Sequence, residues 1–221
     1  MIEPKQIIRS GRKTIALVVN SFGDLIVRAP HIVSNVEIMN FVTKKQGWIK
    51  KKAKSISIFD EEYTPITMAT GDTLLFLGDN YSIEVSDVEC VFIDGKIIFV
   101  PDSLGDPREM LVRWLKEQAL TIINERVDRF SKLMGVFPSA LKITDAKARW
   151  GSCGQNNNLN FAWRLIMCHI SVIDYVVVHE LSHIDFKNHN KQFWIRVKTT
   201  LPQYQEEQNW LNINKKLMQT I

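Results

Sequence analysis

The segment Ser171-Val-Ile-Asp-Tyr-Val-Val-Val-His-Glu-Leu-Ser-His183 holds the densest chemistry in this chain. His179 and His183 are four residues apart, so on a helix they lie one turn apart on one face and both imidazoles can reach a single metal ion. Glu180, beside the first histidine, is placed to take a proton from a water bound to that ion. This HExxH arrangement is the one zinc peptidases use. With five histidines in 221 residues its chance occurrence is rare, even before the required helical setting is counted. The bland alternative is a pair of exposed or structurally bonded histidines.

A catalytic zinc usually keeps three protein ligands and one open position, so a third donor is needed. His189 lies ten residues after His179, the offset of the third histidine in HExxHxxGxxH, although Phe186 stands where that signature has glycine. Lys187-Asn188 can still provide the turn, because Asn tolerates the left-handed conformation that ends helices. The departure and the lack of a recognisable Met-turn argue against the metzincin class. Glu206 and Glu207 are rival third ligands, at the distance where other zinc peptidases place a helical glutamate.

These residues need elements to hold them. Ser171 with Asp174 reads as a capping signature for the HExxH helix, and the valines that follow give it a face to bury. Upstream, Asp106, Pro107 and Glu109 start a long amphipathic helix whose apolar residues recur from Leu111 to Leu133 and which Gly135 and Pro138 end. Leu141 to Ile166 reads as a hairpin turning at Gly154–Asn158, with Leu159, Phe161, Trp163 and Leu165 alternating along one buried face. Earlier still, Thr14–Val19 and Leu25–Arg28 form a hairpin across Asn20–Asp24. Ser34 and Glu37 make a capping box for a helix reaching Lys54. Four short apolar runs between Thr73 and Val100 suggest an antiparallel meander. The change of pattern near Pro101 to Asp106 sets two lobes, 1–103 and 104–221.

The composition, 45% apolar and 24% charged, is that of a folded globular protein. No apolar run approaches the ~20 residues that cross a bilayer, and the start lacks a secretory pattern. Three cysteines without a CxxC pair, Cys90, Cys153 and Cys168, suit a reducing compartment, so a cytoplasmic location is expected. The net charge of +4 is local. Six lysines lie between Lys44 and Lys54 with no acidic residue among them, leaving 22 basic against 24 acidic residues elsewhere. That stripe is either the solvated face of its helix or a surface that attracts nucleic acid without sequence preference. His31 and His169 belong to no motif and read as structural.

Four motifs in order, Ala148-Arg-Trp-Gly-Ser-Cys153, Leu159-Asn-Phe-Ala-Trp-Arg164, Tyr175-Val-Val-Val-His-Glu-Leu-Ser-His183 and Asn188-His-Asn-Lys-Gln-Phe-Trp194, resemble those of the YgjP-like (DUF45) metallopeptidases, relatives of the SprT and WLM zinc peptidases. The resemblance spans nearly the whole chain. It implies an α+β protein with a β-rich amino-terminal lobe carrying one basic helix and a zincin-like, gluzincin-type catalytic lobe. It implies Zn²⁺ on His179, His183 and His189, peptide-bond hydrolysis with Glu180 as the base, and an extended peptide pairing with the edge strand Leu159–Arg164. Arg149, Asn160 and Tyr175 are the candidate substrate contacts, and Tyr175, Arg149 and Tyr204 the candidate oxyanion donors. Arg149, Trp150 and Cys153 also admit a core reading. Two other functions compete: a zinc hydrolase of another amide or ester, and a nucleic-acid-associated protein with a structural zinc.

Overall fold

A computed structural model describes residues 3–19, 25–50, 66–219 and 221. The chain divides by its contacts into two compact units, Met1–Thr64 and Pro65–Ile221. The boundary drawn from sequence at 103/104 falls inside the second unit.

The first unit holds a three-stranded sheet of order β1-β3-β2, from β1 (Gln6–Ser10), β2 (Ala16–Val19) and β3 (Leu25–Pro30). The expected hairpin is the antiparallel β2–β3 pair, while β1 joins β3 in parallel. Helix α1 (Asn35–Lys44) begins at the capping box: the Glu37 N–H donates to Ser34 Oγ and the Ser34 N–H to the Glu37 carboxylate. Its Ile38 and Val42, four residues apart, join Leu25, Val27 and Ala29 in the core. The helix breaks at Lys45 and resumes over residues 46–50. The part of the lysine stripe formed by Lys51, Lys52 and Lys54 lies outside the described residues. Lys44, Lys45 and Lys50 are exposed.

The second unit opens with β4 (Thr73–Phe76), β5 (Asp79–Ser86), β6 (Phe92–Asp94) and β7 (Ile97–Pro101). Their order is β4-β5-β7-β6 with β5 and β7 parallel, so the expected antiparallel meander is corrected. The reason is burial. Ile98 and Val100 of β7 are fully buried whereas Phe92 and Asp94 of β6 are exposed, so the more apolar strand takes the inner position. The β4–β5 turn sits on Leu77 and Gly78, both at positive φ (52° and 87°), the requirement of a tight hairpin turn. Their N–H groups donate to the carbonyls of Ile166 and Met167, at 2.8 and 3.1 Å, and Phe76 packs on Trp114 with ring centroids 5.2 Å apart. These bonds join the sheet to the helices that follow, which is why the contact boundary precedes it.

Helix α2 (Pro107–Met134) starts at Asp106, whose side chain accepts from the Arg108 N–H, and ends at Gly135 in the left-handed conformation. Leu111, Leu115, Ala119, Ile123, Val127, Phe130 and Met134 form its buried stripe. A second three-stranded sheet, order β8-β10-β9, contains β8 (Ala140–Thr144), β9 (Gly151–Cys153) and β10 (Asn158–Ala162). The hairpin is therefore β9–β10, with β8 parallel to β10 on its other side. The strand stops at Ala162, earlier than the alternation suggests, and a 3-10 helix covers Trp163–Met167. Trp163 Nε1 and Arg164 Nη1 both donate to Asp145 Oδ1, at 2.9 and 2.5 Å. Neighbours in a strand would face opposite ways, so this shared partner requires the chain to coil.

Helix α3 (Ile170–Asp185) carries HExxH, followed by α4 (Lys191–Thr200) and α5 (Tyr204–Ile213). Val176, Val177 and Val178 are poor helix formers, and burial on nearly every side of α3 holds them there. The capping expectation for Ser171 and Asp174 is corrected. His169 is the N-cap without a side-chain bond, and Asp174 instead forms a two-point ion pair with Arg126 of α2, at 2.5 and 2.6 Å. No described helix is long and apolar enough to cross a membrane.

Candidate active site

Helix α3 presents His179 and His183 on one face, and the chain then leaves the helix and returns with His189. Phe186 makes the exit in an extended conformation (φ −129°), so neither a glycine nor a left-handed Asn188 is needed, contrary to the expectation for that turn. The exit has a use. The Phe186 N–H donates to the Ser182 carbonyl, and the Phe186 carbonyl lies 2.9 Å from His183 Nδ1. A proton on Nδ1 bonded to that carbonyl leaves Nε2 with a free lone pair. Asn190 accepts from the Phe193 N–H at the start of α4, fixing the loop on its far side. Lys187 Nζ donates to Asn157 Oδ1 at 2.7 Å, tying the same loop to the β9–β10 turn.

Each of the three histidines offers a ring nitrogen, and these nitrogens lie within 4.8 Å of one another. His179 Nε2 and His189 Nε2 are 2.9 Å apart. Phe193, fully buried, packs against all three rings at centroid distances of 4.9, 4.6 and 4.7 Å, and Trp194 stacks on His189. Burial, with the two other imidazoles adding to it, pushes the His179 pKa down to about 3, and burial likewise lowers that of His183. Burial thus disfavours the charged form of both rings. His179 Nδ1 is buried and meets no hydrogen-bond partner among the described residues. Converging imidazoles with lone pairs to share fit a metal ion. Among the described residues this is the only such cluster of three or more, and neither Glu206 nor Glu207 belongs to it.

Glu180 faces β9 and is 6% exposed. Burial raises its pKa to about 7, while the Arg149 charge and a hydrogen bond from the Cys153 N–H pull the other way. Arg149 stands exposed at the entrance to β9. Tyr175 is buried next to His179, ring centroids 5.8 Å apart, and its oxygen accepts from Gln208 Nε2 at 3.1 Å. Burial lifts its phenol to about 12, so it keeps its proton. Tyr204 stacks between Tyr175 and Trp194, at 6.1 and 5.5 Å.

Asn160 is placed differently. It pairs across the sheet with Ser152, and strand alternation turns both away from the face on which Gly151 meets Glu180. There they line a cavity of about 230 Å³ with Arg149 and Trp150. Nor is β10 an edge: it is the central strand, and β9 is the border that runs along α3. The expected peptide-pairing strand is corrected accordingly, because the most apolar strand is drawn to the middle. His169 packs edge-on against Trp210 and His31 is exposed, both apart from the cluster. One residue the sequence reading passed over is Gly151. Its signal was a glycine inside a short strand, which often marks a close approach.

Compared with models of protein families, the chain matches the one described as YgjP-like, metallopeptidase domain, over residues 13–214. Among curated proteins none matches it.

Proposed function

Because this chain belongs to the YgjP-like metallopeptidase family, matched along most of its length, we propose that it is a zinc-dependent peptidase with a zincin-like catalytic lobe. The observation that carries this reading is the convergence of His179, His183 and His189 beside the buried carboxylate of Glu180. Three converging imidazoles are a donor set that Zn²⁺ favours. When bound, zinc supplies Lewis-acid polarisation of the scissile carbonyl and makes water more acidic.

The remaining steps belong to the protein. Glu180 accepts at its carboxylate a proton from the attacking water and returns it to the leaving nitrogen. Tyr175, protonated and buried beside His179, is the favoured donor to the carbonyl oxygen as it gains charge, with Arg149 and Tyr204 as rivals. An extended peptide would add to the border strand β9 through main-chain hydrogen bonds.

The test is Glu180→Gln, which keeps the shape and removes the proton acceptor. Metal analysis should find zinc unchanged, and turnover of a mixture of unstructured peptides, followed by mass spectrometry, should fall ~10²–10⁴-fold. Unchanged turnover would refute the mechanism.

A further inference from the structure

We propose that Gly151 is a positioning residue for Glu180: the space left by its missing side chain is the seat of the carboxylate. The inference rests on the reading of Glu180 as the base. A Cβ built on Gly151 would lie 2.7 Å from Glu180 Cγ, 2.8 Å from Oε1 and 3.0 Å from Cδ. The two carbon contacts are well inside the 3.5–4.0 Å at which carbon atoms pack. The three nearest atoms all belong to that one side chain, and none to the helix backbone.

The conformation of Gly151 does not explain the glycine. Its φ lies outside the left-handed range, and its register opposite Phe161 is that of an ordinary strand residue. What would exclude a side chain here is the occupied space. The border strand thus supplies the void that fixes where the proton is taken up.

The experiment is a double-mutant cycle of Gly151→Ala and Glu180→Ala, read by zinc content, thermal midpoint and the separate kcat and KM of peptide turnover. In the Glu180 background, Gly151→Ala should keep zinc, lower the midpoint and reduce kcat ~10²-fold with KM little changed, since a displacement of about 1 Å suffices for such a loss. In the Glu180→Ala background the same change should cost neither stability nor residual rate, because no side chain is left to displace. If Gly151→Ala alone does not fold, a folded double variant supports the seat and an unfolded one overturns it. An equal loss of stability in both backgrounds would overturn the proposal, making the glycine a helix–strand spacer; so would an unchanged kcat. Should the unaltered protein hydrolyse no peptide, the peptidase reading fails, and the stability cycle still decides the seat.

Discussion

Replacing Arg126 with alanine should destabilise the protein about as much as replacing Asp174, its partner across the α2–α3 interface. Two N–H groups of one guanidinium donate to the two oxygens of one carboxylate, at 2.5 and 2.6 Å, and the side chains are only 19% and 13% exposed. Removing one partner of a buried pair costs roughly 3–5 kcal/mol, because the other charge is left without compensation. The fraction of Arg126 still in water reduces that to about 2–4 kcal/mol. In a unit of this size such a loss lowers the melting temperature by about 5–15 °C. The assay is a thermal melt of Asp174→Ala, Arg126→Ala and the double variant at one fixed zinc concentration, since bound metal shifts the midpoint. The double variant should lose much less than the two single losses added together. If Asp174 instead acted as a helix-capping residue, Arg126→Ala would be nearly neutral and Asp174→Ala would cost ~1 kcal/mol. That pattern would refute the ion-pair reasoning.

His189→Ala should strip the metal while Glu206→Ala and Glu207→Ala retain it; metal analysis of the three purified variants checks this, and the reverse result reassigns the third ligand. The hydrogen bonds from Arg164 and Trp163 hold the Asp145 carboxyl below the usual carboxylate range, so its contribution is present above the unfolded pKa and lost as pH falls through the folded one. Asp145→Asn should therefore lower the melting temperature at neutral pH and narrow its gap to the unaltered protein below about pH 4, a convergence that acid-range melts would detect. If the stretch Lys44–Lys54 binds duplex DNA through about four phosphates, log affinity should fall with log salt at a slope of roughly −3 to −4, and a Lys50/Lys51/Lys52→Glu triple variant should abolish it. Absence of binding at low salt would return that helix to a solvated face.

The features written in local chemistry were legible before any coordinates. Ser34 with Glu37, Asp106 with Pro107, and Gly135 mark helix ends because each satisfies or releases main-chain groups within a few residues. The histidine spacing is likewise a property of one helix and one short loop. Strand order was not legible. The parallel pairings β1–β3, β5–β7 and β8–β10 join segments whose intervening chain leaves no local trace of the pairing. The end of β10 was misread because Trp163 to Cys168 are all buried, so alternation there carried no information about which way each side chain points. Asp174 was misread because a carboxylate three residues after a serine serves a cap or a distant arginine equally well.

The turn at Leu77 and Gly78 has a consequence for dissecting the molecule. Its two N–H groups fill the last carbonyls of the 3-10 helix ahead of α3, and a Cβ at Gly78 would fall 1.9 Å from His169 Nδ1, at the N-cap of α3 itself. A chain shortened to begin at residue 104 would keep every histidine of the cluster, Glu180 and both strands of the β9–β10 hairpin. It would nonetheless expose the Ile166 and Met167 carbonyls, strip Trp114 of Phe76 and uncover the side of the His169 ring that Gly78 packs against, at the root of the helix that bears the cluster. A piece able to hold the site in shape must therefore include the four-stranded sheet, which serves as the foundation of α3 rather than as an appendage to it.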